Sequence, residues 1–439
     1  MKLIVSIVLT CVAFVNVFGQ KLRENGDGYT LKVAIDQSKP IYQVKDVISG
    51  RLTLTKNGNP VQRDTVIWIK SKDNYTPTAE RKMLIIKQGV AEFKAKLDEP
   101  GFVLNRFNFK TPSDTLLSKL VGVAVNPLDI KPSMACPVDF DSYWESEKRK
   151  QELQPLEPWF NRISINEPDV EVYDVQANSL AGPFSAYMAR PLNAKPNSLP
   201  AMILFHGAGV ASSRLSEVIR WAKEGVCVID FNVHGLANGQ PTSYYKELYT
   251  GPLKKYFLKG MESRDSLFFR SMILRVFRAL EIITMQSDWD GKNLIAFGRS
   301  QGGGQAIIAA GMDPRVNLLC AEIPALCDHT GNVASRVNGW PKLMGNGETY
   351  DKAALQVVPY VDAINFAQRT NAKAYVTVGF IDLSSPPTSV YAMYNQLKGE
   401  KHILNIYDKG HVVSPEGWEF VCNGVNDFLS SIKNNLETK

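Results

Sequence analysis

Residues 294–310 read LIAFGRSQGGGQAIIAA. An apolar run meets a crowd of small residues around Ser300, and an alanine-rich segment follows. The pattern predicts a strand, a tight turn and a helix, with Ser300 on the turn. Gly298-Arg299-Ser300-Gln301-Gly302 fits G-x-S-x-G, in which small residues two positions to either side of the serine let the backbone fold back and expose the hydroxyl. Two rival readings of a glycine-rich turn fit poorly. No Lys-Ser or Lys-Thr closes the glycine run, as a phosphate-binding loop requires. A dinucleotide fingerprint has a different glycine spacing and does not lie so late in the chain.

The surroundings repeat the same strand-then-helix rhythm. Residues 200–207 (PAMILFHG) read as a buried strand, 213–225 (SRLSEVIRWAKEG) as an amphipathic helix and 226–235 (VCVIDFNVHG) as another strand. Residues 266–286 are a long helical run, followed by strand-like NLIAFG, KAYVTVGF and HILNIYD. Alternation of this kind predicts an α/β architecture, a mostly parallel sheet with helices on both faces. Residues 128–150 end in an acidic start and a basic finish typical of a helix, with Asp139 or Asp141 near its cap. Residues 244–257 (YYKELYTGPLKKYF) read as a polar-aromatic loop, which makes Tyr244 a candidate substrate contact.

A serine nucleophile needs a base and a group to orient that base, and on an α/β-hydrolase fold the chain order is Ser, then Asp or Glu, then His. His411 lies beyond the last strand-like run, where it can lean over the strand ends. Asp382, in VTVGFIDLSSPP, directly follows a buried strand and is the preferred acid. Asp328, Asp351 and Asp362 compete with it, and Asp408 lies on the strand beside His411. The oxyanion that develops needs two donors: the backbone N–H of Gln301 and, from the loop His206-Gly207-Ala208-Gly209, that of Ala208. His206 is expected to be structural, His402 to face solvent or pack, and His234 to line the pocket. The five histidines show no HxH or HExxH spacing, so no metal site is expected, and the serine mechanism implies no cofactor.

These motifs resemble the acetyl xylan esterase and cephalosporin C deacetylase group, carbohydrate esterase family seven. The likeness covers most of residues 133–433: the helix VDFDSYWESE, FHGAG, FFRSMILRVFRALEII, FGRSQGGGQA, AEIPALCDH and the long run GFIDLSSPPTSVYAMYN, up to His411. It implies an α/β-hydrolase that removes acetyl groups from sugars. It places Ser300, Asp382 and His411 as the triad, with Ala208 and Gln301 at the oxyanion hole. The chain departs from the family pattern in two places. His234-Gly235-Leu236 stands where Arg-Gly-Gln is usual, and Val412 follows the histidine where Glu is usual. The family's ring-like hexamer adds a homo-oligomer to the expected partners, beside an acetylated carbohydrate substrate.

Ahead of this region, residues 29–127 hold six or seven short β-rich runs separated by turn residues such as Lys56-Asn57-Gly58-Asn59-Pro60. They predict a small all-β, immunoglobulin-like sandwich without an evident reactive group. The first residues, MKLIVSIVLTCVAFVNVFGQ, have one lysine, an apolar stretch and small residues near Gly19. They read as an export signal rather than a membrane span, because polar Gln20, Lys21 and Arg23 follow too soon. The expected divisions are therefore 1–19 (signal), 20–127 (sandwich) and 128–439 (hydrolase), in an exported, periplasmic or secreted protein.

The bulk numbers agree with a globular enzyme. At 439 residues, with 44% hydrophobic and 21% charged side chains, two cores can be built. The net charge of +6 is diffuse, with no run of Lys or Arg to suggest nucleic acid as a partner. Cys136, Cys227, Cys320, Cys327 and Cys422 are odd in number without CxxC spacing, so buried free thiols are expected. Two other functions are compatible with the turn at Ser300. One is a peptidase of the prolyl-oligopeptidase type, whose propeller would be much longer than the leading region. The other is a carbohydrate-binding protein with a degenerate hydrolase domain.

Overall fold

A computed structural model describes residues 23–36, 38, 40–345, 347–349 and 351–437. The expected export signal, with Cys11 inside it, lies outside the described residues. Contacts divide the chain into two compact units: the first ends at Asn126 and the second begins at Pro127, apart from Asp73–Pro77, which belong to the second.

The first unit is all β. Its strands are β1 (Asn25–Gly26), β2 (Tyr29–Ile35), β3 (Ile41–Tyr42), β4 (Ile48–Lys56), β5 (Asn59–Pro60), β6 (Arg63–Lys72), β7 (Glu80–Lys87), β8 (Val90–Ala95), β9 (Gly101–Lys110) and β10 (Leu116–Val125). They hydrogen-bond in the order β1-β2-β4-β8-β7-β6-β9-β10-β3, with β5 paired to β4 off this path. Strands β7 and β8 share only the Lys87–Val90 pair, so the path folds there into two layers. Inward residues of one layer (Leu31, Leu52, Leu54, Phe93) meet Val66, Trp68, Phe107 and Val123 of the other in one core. Phe93 joins the layers, its ring 5.4 Å from Trp68 and 4.8 Å from Phe107. The predicted turn at 56–60 forms as a tight hairpin, with Asn57 and Gly58 at φ 47° and 82°.

The second unit opens with helix α1 (Phe140–Glu152), whose first side chain, Phe140, is buried against Phe366 with ring centroids 5.0 Å apart. Asp139 stands at its N-cap position without capping it. Its carboxylate instead accepts from the Tyr360 hydroxyl and, at 2.8 Å, from Arg264. A nine-stranded sheet follows, in the order β11-β12-β13-β15-β14-β16-β17-β18-β19. Its first three strands, β11 (Trp159–Ile163), β12 (Val170–Ser179) and β13 (Gly182–Pro191), are antiparallel and extend the sheet beyond the expected βαβ region. The rest are parallel: β14 (Leu199–Phe205), β15 (Cys227–Phe231), β16 (Trp289–Arg299), β17 (Val316–Glu322), β18 (Lys373–Gly379) and β19 (Lys401–Ile406).

Helices cover both faces of this sheet. Alternation along β14 sends Met202 and Leu204 to one face. There they pack with Val218, Trp221 and Ala222 of α2 (Leu215–Lys223) and Val421, Val425 and Leu429 of α8 (Pro415–Glu437). The other face carries α4 (Phe268–Thr284) and α5 (Gln301–Met312), which both touch β14 and β16. Twelve residues of α4 are buried, including Phe269, Ile273, Val276 and Leu280. Burying such side chains stabilises by about 1.5–3 kcal/mol each before ordering entropy is counted. The first half of the segment 244–257, expected as loop, lies in helix α3 (Thr242–Thr250), which starts after Pro241 and ends at Gly251. Two shorter helices, α6 (Ala363–Ala367) and α7 (Pro387–Tyr394), complete the unit. Among the described residues no helix is long and apolar enough to cross a membrane.

Candidate active site

The carboxyl ends of the parallel strands define one edge of the sheet, where ligands of open α/β sheets bind. Ser300 follows β16, the strand between β14 and β17, on the turn into α5. Its backbone has φ 55° and ψ −122°, a sparsely populated conformation for a side-chain-bearing residue. Three backbone hydrogen bonds hold it there. The Ser300 N–H donates to the Glu322 carbonyl at 2.9 Å, and the Ser300 carbonyl accepts from Ala325 at 2.9 Å and Gly304 at 3.1 Å. The turn closes only because its flanks lack side chains. A Cβ on Gly298 would lie 2.1 Å from the Gly302 carbonyl oxygen.

Ser300 Oγ lies 2.8 Å from His411 Nε2, and His411 Nδ1 lies 2.7 Å from Asp382 Oδ2. Asp382 comes just beyond β18 and His411 just beyond β19, so adjacent strands deliver both. Their loops are tied together by the Ile381 N–H, which donates to the Lys409 carbonyl at 3.2 Å. The other oxygen of Asp382 accepts from the N–H groups of Ser384 and Ser385 at 2.8 and 2.9 Å, which fixes the carboxylate plane. Asp382 is buried. Burial alone would lower the His411 pKa, but the charge of Asp382 and its hydrogen bond outweigh burial and raise it above the ordinary histidine value. With Nδ1–H committed to the carboxylate, Nε2 is free to accept the serine proton.

The competing carboxylates are committed elsewhere. Asp328 pairs with Arg336 and accepts from Ser133. Asp362 caps α6 and accepts from the N–H groups of Asp328 and His329. Asp351 accepts from its neighbour Ala353, and Asp408 pairs with Lys409. His402 bonds Glu400 at 2.8 Å at the surface.

The loop after β14 reaches the same place. A Cβ on Gly207 would sit 3.8 Å from the Cβ of Ser300. Ala208 is exposed on this loop, and Gln301 begins α5, where the first N–H groups have no intrahelical acceptor. His206 is largely buried beside Asp230, 3.8 Å away, and burial pulls its pKa down to about 4. His234 is half-buried and turns its ring toward the oxyanion loop. Its Nε2–H donates to the Gly209 carbonyl at 2.9 Å, and burial lowers its pKa to about 4, which keeps it neutral. Tyr244 is partly exposed on α3 with its ring against Tyr245. The tyrosine that meets the site from this segment is Tyr256, buried and bonded to Gly209 and Gln301.

Glu322, at the end of β17, was also not anticipated. It is buried, burial raises its pKa, and Arg299 Nε donates to it at 2.5 Å. Arg299 and Glu322 are register partners across β16 and β17, so the pair ties the strand end before Ser300 to its neighbour. The five described cysteines are free thiols, four of them buried.

A mixed sheet with helices on both faces and a serine on a strained strand-to-helix turn defines an α/β-hydrolase, and the family it matches makes it a carboxylic-ester hydrolase. Residues 126–430 match the family described as "Acetyl xylan esterase (AXE1)", and the chain belongs to that family. Acetyl esterase Axe7A of Xylanibacter ruminicola is 27% identical over 340 residues, which cover 75% of each chain. Among solved structures, an acetyl xylan esterase from Paenibacillus sp. R4 is similar in fold, with TM-score 0.60 and 24% identity. That likeness spans 70% of this chain and 98% of the other. Acetyl xylan esterase 1 from Thermoanaerobacterium sp. JW/SL YS485 is similar with TM-score 0.56 and 22% identity, over 67% and 96% of the two chains.

Proposed function

We propose that the protein is an exported serine esterase that removes acetyl groups from carbohydrate through an acyl-enzyme on Ser300. The observation that carries this reading is the 2.8 Å and 2.7 Å relay from Ser300 through His411 to Asp382 on a strained turn. Ser300 Oγ attacks the acetyl carbonyl while its proton passes to His411 Nε2, and the carbonyl electron pair moves onto oxygen. The Ala208 and Gln301 N–H groups receive that oxyanion. The intermediate collapses by breaking the bond to the sugar oxygen, which takes the proton from His411. Water then attacks the acetyl-serine, His411 takes its proton, and acetate leaves as the proton returns to Ser300 Oγ. Asp382 keeps its charge and stabilises the imidazolium at each half-reaction.

Family membership and the acetyl esterase relative support an acetylated glycan as substrate. The apolar leader with Lys2 supports export. Measuring acetate release from a panel of acetylated xylo-oligosaccharides and other glycans, beside dipeptidyl substrates, tests the reading. Release of acetate without peptide cleavage supports it. Peptide cleavage, or no turnover of any acetyl ester, contradicts it.

A further inference from the structure

The oxyanion loop presents a physical difficulty. It reads His206-Gly207-Ala208-Gly209, and Gly209 has φ 144°, a conformation open to glycine with nothing crowding its position. A loop this free would lose much of the benefit of its donor, because oxyanion stabilisation depends on dipoles already in place before charge develops. Gly209 nevertheless has both of its backbone groups fixed. Its N–H donates to the Tyr256 hydroxyl at 3.1 Å, and its carbonyl accepts from His234 Nε2 at 2.9 Å. One turn further, Asn232 Nδ2 donates to the Ala211 carbonyl at 2.7 Å, while its side-chain oxygen accepts from the His234 N–H at 3.0 Å.

The Tyr256 hydroxyl does more than hold the loop. Having accepted from Gly209, it donates its own hydrogen to Gln301 Oε1 at 3.0 Å. Gln301 carries the second candidate oxyanion donor on its backbone. One phenol oxygen therefore joins the two halves of the hole, which come from the ends of two different strands, β14 and β16. Tyr256 is 1% exposed, so water does not compete for these bonds. Its ring is wedged edge-to-face against His234 at 4.6 Å and Phe268 at 4.7 Å. Burial raises its phenol pKa well above the ordinary value, so the hydroxyl keeps the hydrogen it donates.

We propose that Tyr256 is a positioning residue for the oxyanion hole: it locks the Ala208 and Gln301 donors at a fixed separation, with His234 as the second clamp on the loop. This rests on the serine-esterase reading. It assigns to the segment around Tyr256 a role in the rate of acyl transfer rather than in holding sugar.

The test compares Tyr256→Phe with wild type on p-nitrophenyl acetate, with Tyr143→Phe as a control. Tyr143→Phe, on α1, also removes a hydroxyl bond, there to the carbonyl of Arg264 at 3.1 Å. The expected result for Tyr256→Phe is a fall in kcat of about 10-fold or more, given that a direct donor contributes on the order of 10²–10³-fold. KM stays unchanged and the pH at which activity switches on does not move, because His411 is untouched. Tyr143→Phe keeps wild-type kcat. Gln301→Leu, which removes the far end of the bridge and keeps the backbone N–H, is expected to reproduce the kcat loss, and it decides the matter where Tyr256→Phe fails to fold. A kcat within twofold of wild type in Tyr256→Phe and Gln301→Leu, or a loss confined to KM, overturns the inference. Wild type that does not turn over the ester, or Ser300→Ala that does, is instead a failure of the serine-esterase reading.

Discussion

Gly302 packs so closely on the end of β14 that a Cβ there would lie 1.9 Å from the Phe205 carbonyl oxygen. This contact seats the first turn of α5 against the strand that launches the oxyanion loop. The obstacle is backbone, which cannot swing aside as a side chain could.

Gly302→Ala is therefore expected to push α5 and the loop at 206–209 apart. Overpacking of this kind costs about 1–3 kcal/mol, or roughly 2 °C or less in Tm per kcal/mol for a unit of this size. Esterase activity should fall with it, since the two oxyanion donors sit on the separated elements. Thermal denaturation and initial rates check this, and a variant with wild-type Tm and activity contradicts it.

The pH dependence follows from His411. Its pKa is raised above 6.5 by the Asp382 charge and hydrogen bond, against burial. The protonated ring cannot accept the Ser300 proton, so kcat/KM should rise with pH through an apparent pKa above 6.5 and level off beyond it. In Asp382→Asn both raising influences of the carboxylate are gone and only the weaker one of Glu322 remains, while burial, the largest influence, and Arg299 still lower the value. The residual activity, about 10⁴-fold down, should switch on at lower pH. A pH–rate profile of each protein decides the point; a limb that stays put or moves upward contradicts it.

Arg299 offers a stability test. Glu322 is nearly inaccessible, and Arg299 is the group that neutralises it. Arg299→Ala leaves a buried carboxylate uncompensated, which costs about 3–5 kcal/mol for a fully buried pair and less here because Arg299 is about a quarter exposed. Adding Glu322→Gln to Arg299→Ala should recover part of the lost Tm. Unfolding midpoints of the single and double variants measure this, and a double variant less stable than Arg299→Ala contradicts the pairing.

Much of this arrangement is legible in the sequence because its causes are local. Small residues flank Ser300 at fixed offsets, and Asp382 and His411 each come within a few residues of the end of an apolar, strand-like run. The antiparallel strands β11–β13 carry a weaker signal. In β13 residues Phe184 to Ala189, including polar Ser185, are all buried, so no alternation marks the strand. Tyr256 was invisible for a different reason. Its hydroxyl serves Gly209 and Gln301, 47 and 45 residues away, and nothing in its own neighbourhood distinguishes it from Tyr244 or Tyr249. His234 was legible as a departure from the family pattern, but only the folded chain shows its ring turned inward to the Gly209 carbonyl.

The central claim is that Ser300 is the nucleophile. The most direct measurement is the initial rate of p-nitrophenyl acetate hydrolysis by purified Ser300→Ala against wild type under the same conditions. Removing a nucleophile from an intact triad lowers kcat by 10⁴-fold or more in order of magnitude, leaving only the background of a bound ester. A rate reduced by about that factor, with an unchanged melting temperature, is the predicted result. A Ser300→Ala variant that hydrolyses the ester as fast as wild type contradicts the account.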